Sequence, residues 1–136
     1  MSNVHLKDRE ETPLTFVVLG RQIQIEVTKI VMSEKSMPKK YRMLVGTSLI
    51  NKVDEMMDNI IMANSIYAKD EKQLARRDYY QELAIINCFQ IQNKLIRIEK
   101  CVPEFKVNRL SVISELLKQE TETLKRWRRS NKLVSA

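Results

Sequence analysis

Apolar residues recur at helical spacing along the stretch from Met37 to Tyr67. The repeating positions are Leu49, Val53, Met56, Ile60, Ala63 and Tyr67. This spacing puts their side chains on one side of an α-helix, and polar residues such as Asn51 and Asp54 on the other. Because a helix with one apolar side is not stable alone in water, the rest of the chain must supply helices that cover it.

Residues 14–34 carry two overlapping patterns. The helical positions are Phe16, Leu19, Ile23, Val27 and Ile30. Residues 22–27 also alternate between polar and apolar as a strand would, with Gly20 as a hairpin turn. We favour the helix, because its pattern continues to Val31 and an isolated hairpin would have no sheet to join.

Two further helices follow. The apolar positions of helix three are Tyr80, Ala84, Cys88, Ile91, Leu95 and Ile98. Those of helix four are Leu110, Ile113, Leu117, Leu124 and Trp127. Glu120 occupies one of the positions on the apolar side of helix four. Helix three is apolar over much of its circumference, so Ile85, Phe89 and Ile96 are expected to remain available for contacts between subunits.

Capping residues and prolines mark the ends of these helices. The predicted N-caps of helices two, three and four are Ser36, Asp70 and Asn108. Pro38 fits the first turn of helix two, where its missing N–H costs nothing, and it also stops helix one. Helix three is predicted to end before Pro103.

The fold class predicted from these elements is all-α. With 2 glycines and 3 prolines the chain has few residues for the turns that a β-protein needs. Four helices of similar length with short connections favour an antiparallel up-down-up-down four-helix bundle. We expect residues 1–12 to form a flexible N-terminal tail and residues 13–133 to form the bundle domain.

The sequence offers little for catalysis or metal binding. The single histidine, His5, lies in the predicted tail, and Cys88 and Cys101 have no second pair to form a zinc site. Acidic pairs such as Glu120 with Glu122 are expected on polar faces, where they are solvated. We therefore expect no enzyme activity, no cofactor and no metal. The absence of a long apolar run favours a cytoplasmic protein without a membrane partner.

Positive charge is the main functional signal in the sequence. The formal net charge is +7, and basic residues cluster near the start of helix two and at the end of helix four. Such clusters attract polyanions, of which nucleic acid is the commonest in a cytoplasm, although lysine and arginine also simply solvate helix faces. The candidate nucleic-acid-binding residues are Lys39, Lys40, Arg42, Arg76, Arg77, Lys125, Arg126, Arg128, Arg129 and Lys132.

Trp127 lies inside the second cluster and has two interpretations. Its ring could stack on a base while neighbouring cations neutralise phosphates. Its spacing from Leu117 and Leu124 instead continues the apolar side of helix four, and we favour packing within the bundle for this reason.

Several short motifs resemble one known superfamily of four-helix bundles. They are Met37-Pro38-Lys39-Lys40-Tyr41-Arg42, Arg76-Arg77-Asp78-Tyr79-Tyr80 and Leu124-Lys125-Arg126-Trp127, within residues 14–132. In this order the motifs are similar to those of the accessory variability determinant of diversity-generating retroelements and of the intervening-sequence proteins of large ribosomal RNA genes. The resemblance implies a barrel-like, positively charged homopentamer that binds template RNA, or its hybrid with cDNA, and the retroelement reverse transcriptase. It implies no catalytic residue.

Two hypotheses of different classes follow from the sequence. In the first, the protein is a nucleic-acid-binding accessory subunit of a reverse-transcriptase complex. In the second, it is a structural helical bundle that oligomerises or docks on a protein partner, and its charge serves solubility. A neighbouring reverse-transcriptase gene with a repeat pair would favour the first hypothesis.

Overall fold

The computed structural model of the chain describes residues 3–105 and 107–134, with side chains from Thr15 onward. Its helices are α1 (Asn3–Met32), α2 (Lys39–Tyr41), α3 (Thr47–Ser65), α4 (Glu71–Cys101) and α5 (Val107–Arg129). Arg42–Gly46 form a π-helical segment that joins α2 to α3. Within these described ranges there is no strand, so the helix predicted for residues 14–34 is confirmed and the hairpin alternative is wrong.

The backbone of α1 is continuous across the predicted boundary between tail and domain, because the helix runs through Pro13. The His5 side chain lies outside the described part of the structure. The division into a flexible tail at residues 1–12 and a bundle domain at residues 13–133 stays a prediction.

The four long helices share one core. α1 packs against α3 and α5, and α4 packs against the same two helices. The largest fully buried side chains include Phe16, Ile23, Leu49, Met56, Ile60, Ile91, Leu95, Ile98, Ile113 and Leu124, which confirms the predicted apolar sides of all four helices. The prediction that Tyr67 belongs to the apolar side of this helix is wrong, because α3 ends at Ser65 and the tyrosine is 63% exposed.

The connection from α1 to α3 differs from the predicted cap. Pro38 itself occupies the N-cap position of α2, with no side-chain hydrogen bond, so Ser36 does not cap this helix. Arg42 closes the connection instead: its Nε donates to the Met37 carbonyl at 3.1 Å and its guanidinium donates to the Met32 carbonyl at 3.1 Å. These bonds hold the end of α1 against the π-helical segment that leads into α3.

The ends of α4 and α5 agree with the sequence in part. The Asp70 carboxylate accepts a hydrogen bond from the Gln73 backbone N–H at 2.8 Å, which confirms this residue as the N-cap of α4. α4 ends at Cys101, before Pro103, as predicted. The Asn108 prediction is wrong, because α5 begins at Val107 and Asn108 is already the second residue of the helix.

One carboxyl group lies in the core, against the expectation that Glu120 is solvated. Glu120 is 0% exposed, and neither oxygen has a hydrogen-bond partner among the described residues. A Cβ on Gly20 would lie 3.0 Å from Glu120 Oε2, so the glycine leaves the room that this carboxyl occupies. Burial raises the pKa of Glu120 to about 9. The carboxyl is therefore neutral at pH 7 in the folded protein.

Candidate nucleic-acid interface

The ten predicted basic residues lie at two opposite ends of the bundle. Lys39, Lys40 and Arg42 surround the connection between α1 and α3. The other seven lie near the start of α4 and the end of α5, where Arg128 of α5 contacts Asp78 of α4. The 19 residues of α3 separate the two ends by about 28 Å. The structure therefore forms two basic surfaces instead of one.

Three of the ten side chains are committed to the fold. Arg42 pairs with Glu34 at 3.1 Å in addition to its two carbonyl acceptors. The Arg77 guanidinium donates to the Ile66 carbonyl and so ties α4 to the end of α3. These arginines hold chain connections together. Arg42 meets three acceptors, whereas Arg77 makes one hydrogen bond and its Nε is buried without a partner among the described residues, so it is turned away from a phosphate in solvent.

Arg128 is the third committed side chain. Its guanidinium donates to both Asp78 oxygens, at 2.8 and 3.0 Å, and to Glu82 at 3.2 Å. The hydrogen bond from Arg128 lowers the pKa of Asp78, and the bond to Asp78 raises the pKa of Arg128. Both side chains of this pair are partly exposed, so solvent screens the attraction and its main role is to fix α5 against α4.

The remaining basic side chains are more accessible. The side chains of Lys39, Arg129 and Lys132 make no hydrogen bond or ion pair with any described residue. Arg126 donates to the Thr123 hydroxyl at 3.3 Å, and Arg76 donates to the Gln73 side chain at 2.8 Å. Such exposed local bonds exchange readily with water and leave most donors of the guanidinium free.

Two lysines lie over aromatic rings. Lys40 Nζ is 5.0 Å from the centroid of Tyr41, and Lys125 Nζ is 5.6 Å from that of Phe89. Both distances are within the range of cation–π attraction, which orients the ammonium groups without neutralising them. Both lysines therefore keep their charge for a polyanion.

Trp127 packs within the bundle, as its spacing predicts. The residue is 8% exposed, and its ring stacks on Phe16 of α1 with 3.7 Å between centroids and 11° between planes. This stack joins the end of α5 to α1. The ring is not available to a base, so any stacking on nucleic acid must come from other aromatic side chains.

The C-terminal residues bring cations together across the end of the bundle. Asn131 and Gln81 exchange two side-chain hydrogen bonds, at 2.6 and 3.2 Å. The Val134 backbone N–H donates to the Ala68 carbonyl at 2.9 Å. Lys132 lies between these two anchors, beside the connection from α3 to α4.

We define the terminal basic surface as the exposed cations on this connection, on the first turns of α4 and on the C-terminal segment. Its members are Lys69, Lys72, Arg76, Arg129 and Lys132. The acidic residues within 66–76 and 129–134 are Asp70 and Glu71, and Asp70 is occupied as the N-cap. The surface is therefore positive, and it can hold several phosphates.

Sequence reasoning missed Lys69 and Lys72. Both flank Asp70 and Glu71, so the local sequence has no net charge and shows no basic cluster. Folding adds the C-terminal cations to this segment. The sequence shows the capped start of α4 and the basic C-terminal segment as two separate features. They come together only through the tertiary contact between Ala68 and Val134.

The described residues offer neither a metal site nor a reactive thiol at Cys88. No set of three or more His, Cys, Asp or Glu residues in the described chain is placed to hold a metal ion. Burial, with a smaller contribution from Glu120, raises the pKa of the Cys88 thiol to about 12, so this thiol is protonated and unreactive at neutral pH. In the described residues, no helix combines the length and apolar character needed to cross a bilayer.

The superfamily resemblance rests on its three short motifs. Their basic residues divide between the two ends of the bundle, and Trp127 of the third motif is buried. Comparison of the chain with protein-family models, with curated proteins and with solved structures finds no match.

Proposed function

We propose that this protein is a non-enzymatic accessory subunit of a diversity-generating retroelement, which binds nucleic acid and the reverse transcriptase. The observation that carries nucleic-acid binding is the terminal basic surface, where five exposed cations outnumber the two acidic side chains of the same segments. The assignment to a retroelement, the polymerase partner and the template RNA or RNA/cDNA hybrid as ligand are supported by the three sequence motifs.

Exposed lysines and arginines would bind this ligand through its phosphates. Phosphate contacts release condensed counterions, which supplies affinity without reading the sequence of bases. Arg77 and Arg128 would support the terminal basic surface indirectly, because Arg77 ties α4 to the end of α3 and Arg128 ties α5 to α4. Arg42 would have the same structural role at the opposite end of the bundle. An accessory subunit that must follow a template of varied sequence suits this mode of binding.

The proposal includes an antiparallel up-down-up-down arrangement of the four long helices. Contacts between α3 and α4 support it, because Ser48 bonds Lys94 and Asn59 bonds Asn87, so one residue number rises as the other falls. The same holds for α4 and α5, where Asp78 pairs with Arg128 and Gln92 pairs with Ser114. This arrangement brings the C-terminus of α5 to the start of α4.

Charge reversal on the terminal basic surface tests nucleic-acid binding. We expect the triple variant Arg76→Glu, Arg129→Glu and Lys132→Glu to bind single-stranded RNA about tenfold or more weakly than the wild type, because three phosphate contacts become repulsive. Fluorescence anisotropy with a labelled RNA at one salt concentration measures the change. Circular dichroism should show unchanged helicity, since all three side chains are exposed.

The matched control reverses the same number of charges elsewhere. Arg97, Arg109 and Lys118 are exposed and have no polar partner among the described residues, so changing all three to glutamate alters the net charge equally. We expect a much smaller loss of affinity in this control. An equal loss in both variants would mean that total charge governs binding and that the terminal basic surface has no special role.

The second candidate function is a structural bundle that oligomerises. It is favoured by apolar side chains on the outer side of α4, where Ile86, Phe89 and Ile96 are 41%, 57% and 46% exposed. The expected contribution of Ile85 is wrong, because this side chain is buried. The spacing of the three exposed residues fits one helix side, which a second subunit could cover. The sequence motifs support a pentamer of this kind.

Assembly can be measured directly. We expect light scattering after size exclusion to give several times the 16.0 kDa mass of one chain, and Phe89→Asp with Ile96→Asp to reduce it by placing charges in the contact. Val112→Asp is the control, since Val112 is 53% exposed on α5 and lies outside this stripe. If the wild type has the mass of a monomer at every concentration, oligomerisation is wrong as a part of either candidate function.

A further inference from the structure

Two tyrosine rings project from the end of the bundle that carries the terminal basic surface. Tyr67 is 63% exposed and Tyr79 is 56% exposed, whereas Tyr41 and Tyr80 are partly buried and pack against the core. Neither Tyr67 nor Tyr79 makes a hydrogen bond through its hydroxyl group with a described residue. Both rings are therefore open to a ligand that has an apolar face.

The backbone around Tyr67 is held in place. Its neighbours Ile66 and Ala68 are 5% and 0% exposed, so both are anchored in the core. The Ile66 carbonyl accepts from Arg77, and the Ala68 carbonyl accepts from the Val134 N–H at 2.9 Å. Because its flanks are fixed, Tyr67 can stack on a partner without the cost of ordering a loop.

Tyr79 is supported by the helix and by its neighbour. It lies three residues after Arg76 and seven after Lys72, which puts the three side chains on one side of α4. Its ring meets Tyr80 edge to face, with centroids 5.4 Å apart and 71° between planes. The second tyrosine thus braces the first, and two cations share the side of α4 from which Tyr79 projects.

A surface that carries both cations and exposed aromatic rings suits single-stranded nucleic acid. An unpaired base offers its flat face to an aromatic side chain, whereas the bases of a duplex are already stacked on each other. Simple phosphate attraction would favour a duplex, which has the higher charge density, and would give the tyrosines no role. The rings therefore distinguish the two ligands.

We propose that the terminal basic surface binds single-stranded nucleic acid in preference to duplex, with Tyr67 and Tyr79 each stacking on an unpaired base. In this arrangement Lys69, Lys72 and Lys132 contact the phosphates on either side of the stacked bases. The inference rests on the proposed function, because it names the ligand class of the same surface. It also predicts little dependence on base identity, since every base has a flat face.

Paired tyrosine variants test the role of the rings. We expect Tyr67→Ala with Tyr79→Ala to weaken binding to an oligouridine strand about tenfold or more, while binding to a duplex of the same length changes little. Tyr67→Phe with Tyr79→Phe is the matched control, because it removes both hydroxyl groups and keeps both rings, and it should bind like the wild type. The dependence of affinity on salt should stay the same in all three proteins, since no cation changes.

The outcomes separate this inference from the function on which it rests. If the wild type binds neither strand nor duplex at low salt, the proposed function is wrong and the inference falls with it. If the wild type binds nucleic acid but the alanine variant binds the single strand equally well, the surface works by charge alone and only the inference is overturned. Equal losses for strand and duplex would also overturn it, because stacking on unpaired bases predicts a loss for the single strand alone.

Discussion

The free energy of unfolding should fall by about 1.4 kcal/mol per pH unit as the pH rises from about 4.5 to about 9, because of Glu120. The folded protein keeps this buried carboxyl protonated, while the unfolded chain releases its proton near the ordinary value of 4.5. The contribution of Glu120 is therefore fully present below pH 4.5 and is lost as the pH approaches the folded pKa. The total loss of several kcal/mol is large beside the roughly 5–15 kcal/mol of a typical domain.

Other shifted groups titrate outside this window. The lowered pKa values of Glu55 and Asp78 add stability that is lost on the acid side, below the ordinary values of 4.5 and 3.8. Cys88, with its pKa raised from 9.0 to about 12, weakens the fold only on the alkaline side. Among the described groups with shifted pKa values, Glu120 therefore accounts for the slope at intermediate pH.

Urea unfolding at a series of pH values measures this slope, with Glu120→Gln as the comparison. The glutamine has nearly the same volume and no proton to release, so the variant should lose most of the pH dependence while keeping the bundle. Equal slopes in the two proteins would show that Glu120 does not stay neutral in the core, and would contradict its burial.

Replacing Trp127 by alanine should lower the free energy of unfolding by about 3–5 kcal/mol. The change removes a buried ring that stacks on Phe16 at 3.7 Å and leaves a cavity between α5 and α1. Trp127→Phe should cost much less, because a ring can still stack there. Urea denaturation of the three proteins measures the difference.

The same variants distinguish packing from base stacking at Trp127. Under conditions where Trp127→Ala remains folded, its affinity for single-stranded RNA should match that of the wild type. A loss of affinity with a stability change below about 1 kcal/mol would contradict the buried position, since deletion of a buried large aromatic costs several times more.

Periodicity predicted the helices well, because burial of one side of each helix decides the fold. Phe16 and Ile23 could be assigned to a helix once the pattern was followed as far as Val31, even though residues 22–27 alternate like a strand. Tyr67 shows the limit of this reasoning. It continues the apolar side of α3 by spacing, but the helix ends two residues earlier and the ring turns outward.

The candidate site could be predicted only in part, because the side-chain type does not reveal the partner. Arg42, Arg77 and Arg128 look like free cations in the sequence, yet each meets carbonyl or carboxylate acceptors from another element. Glu120 shows the reverse case. Its charge predicted solvation although it lies among the apolar positions of α5. The prediction is wrong, because Gly20 leaves space for a neutral carboxyl in the core.

The salt dependence of RNA binding tests the central claim most directly. On a single strand, each neutralised phosphate contributes about −0.7 to the slope of the logarithm of affinity against the logarithm of salt concentration. If three to five of the cations of the terminal basic surface contact phosphates, the wild-type slope between about 50 and 200 mM salt should lie at about −2 to −3.5 per chain, and be more negative in an oligomer. A slope near zero, or no binding at about 50 mM salt, would contradict nucleic-acid binding by this surface.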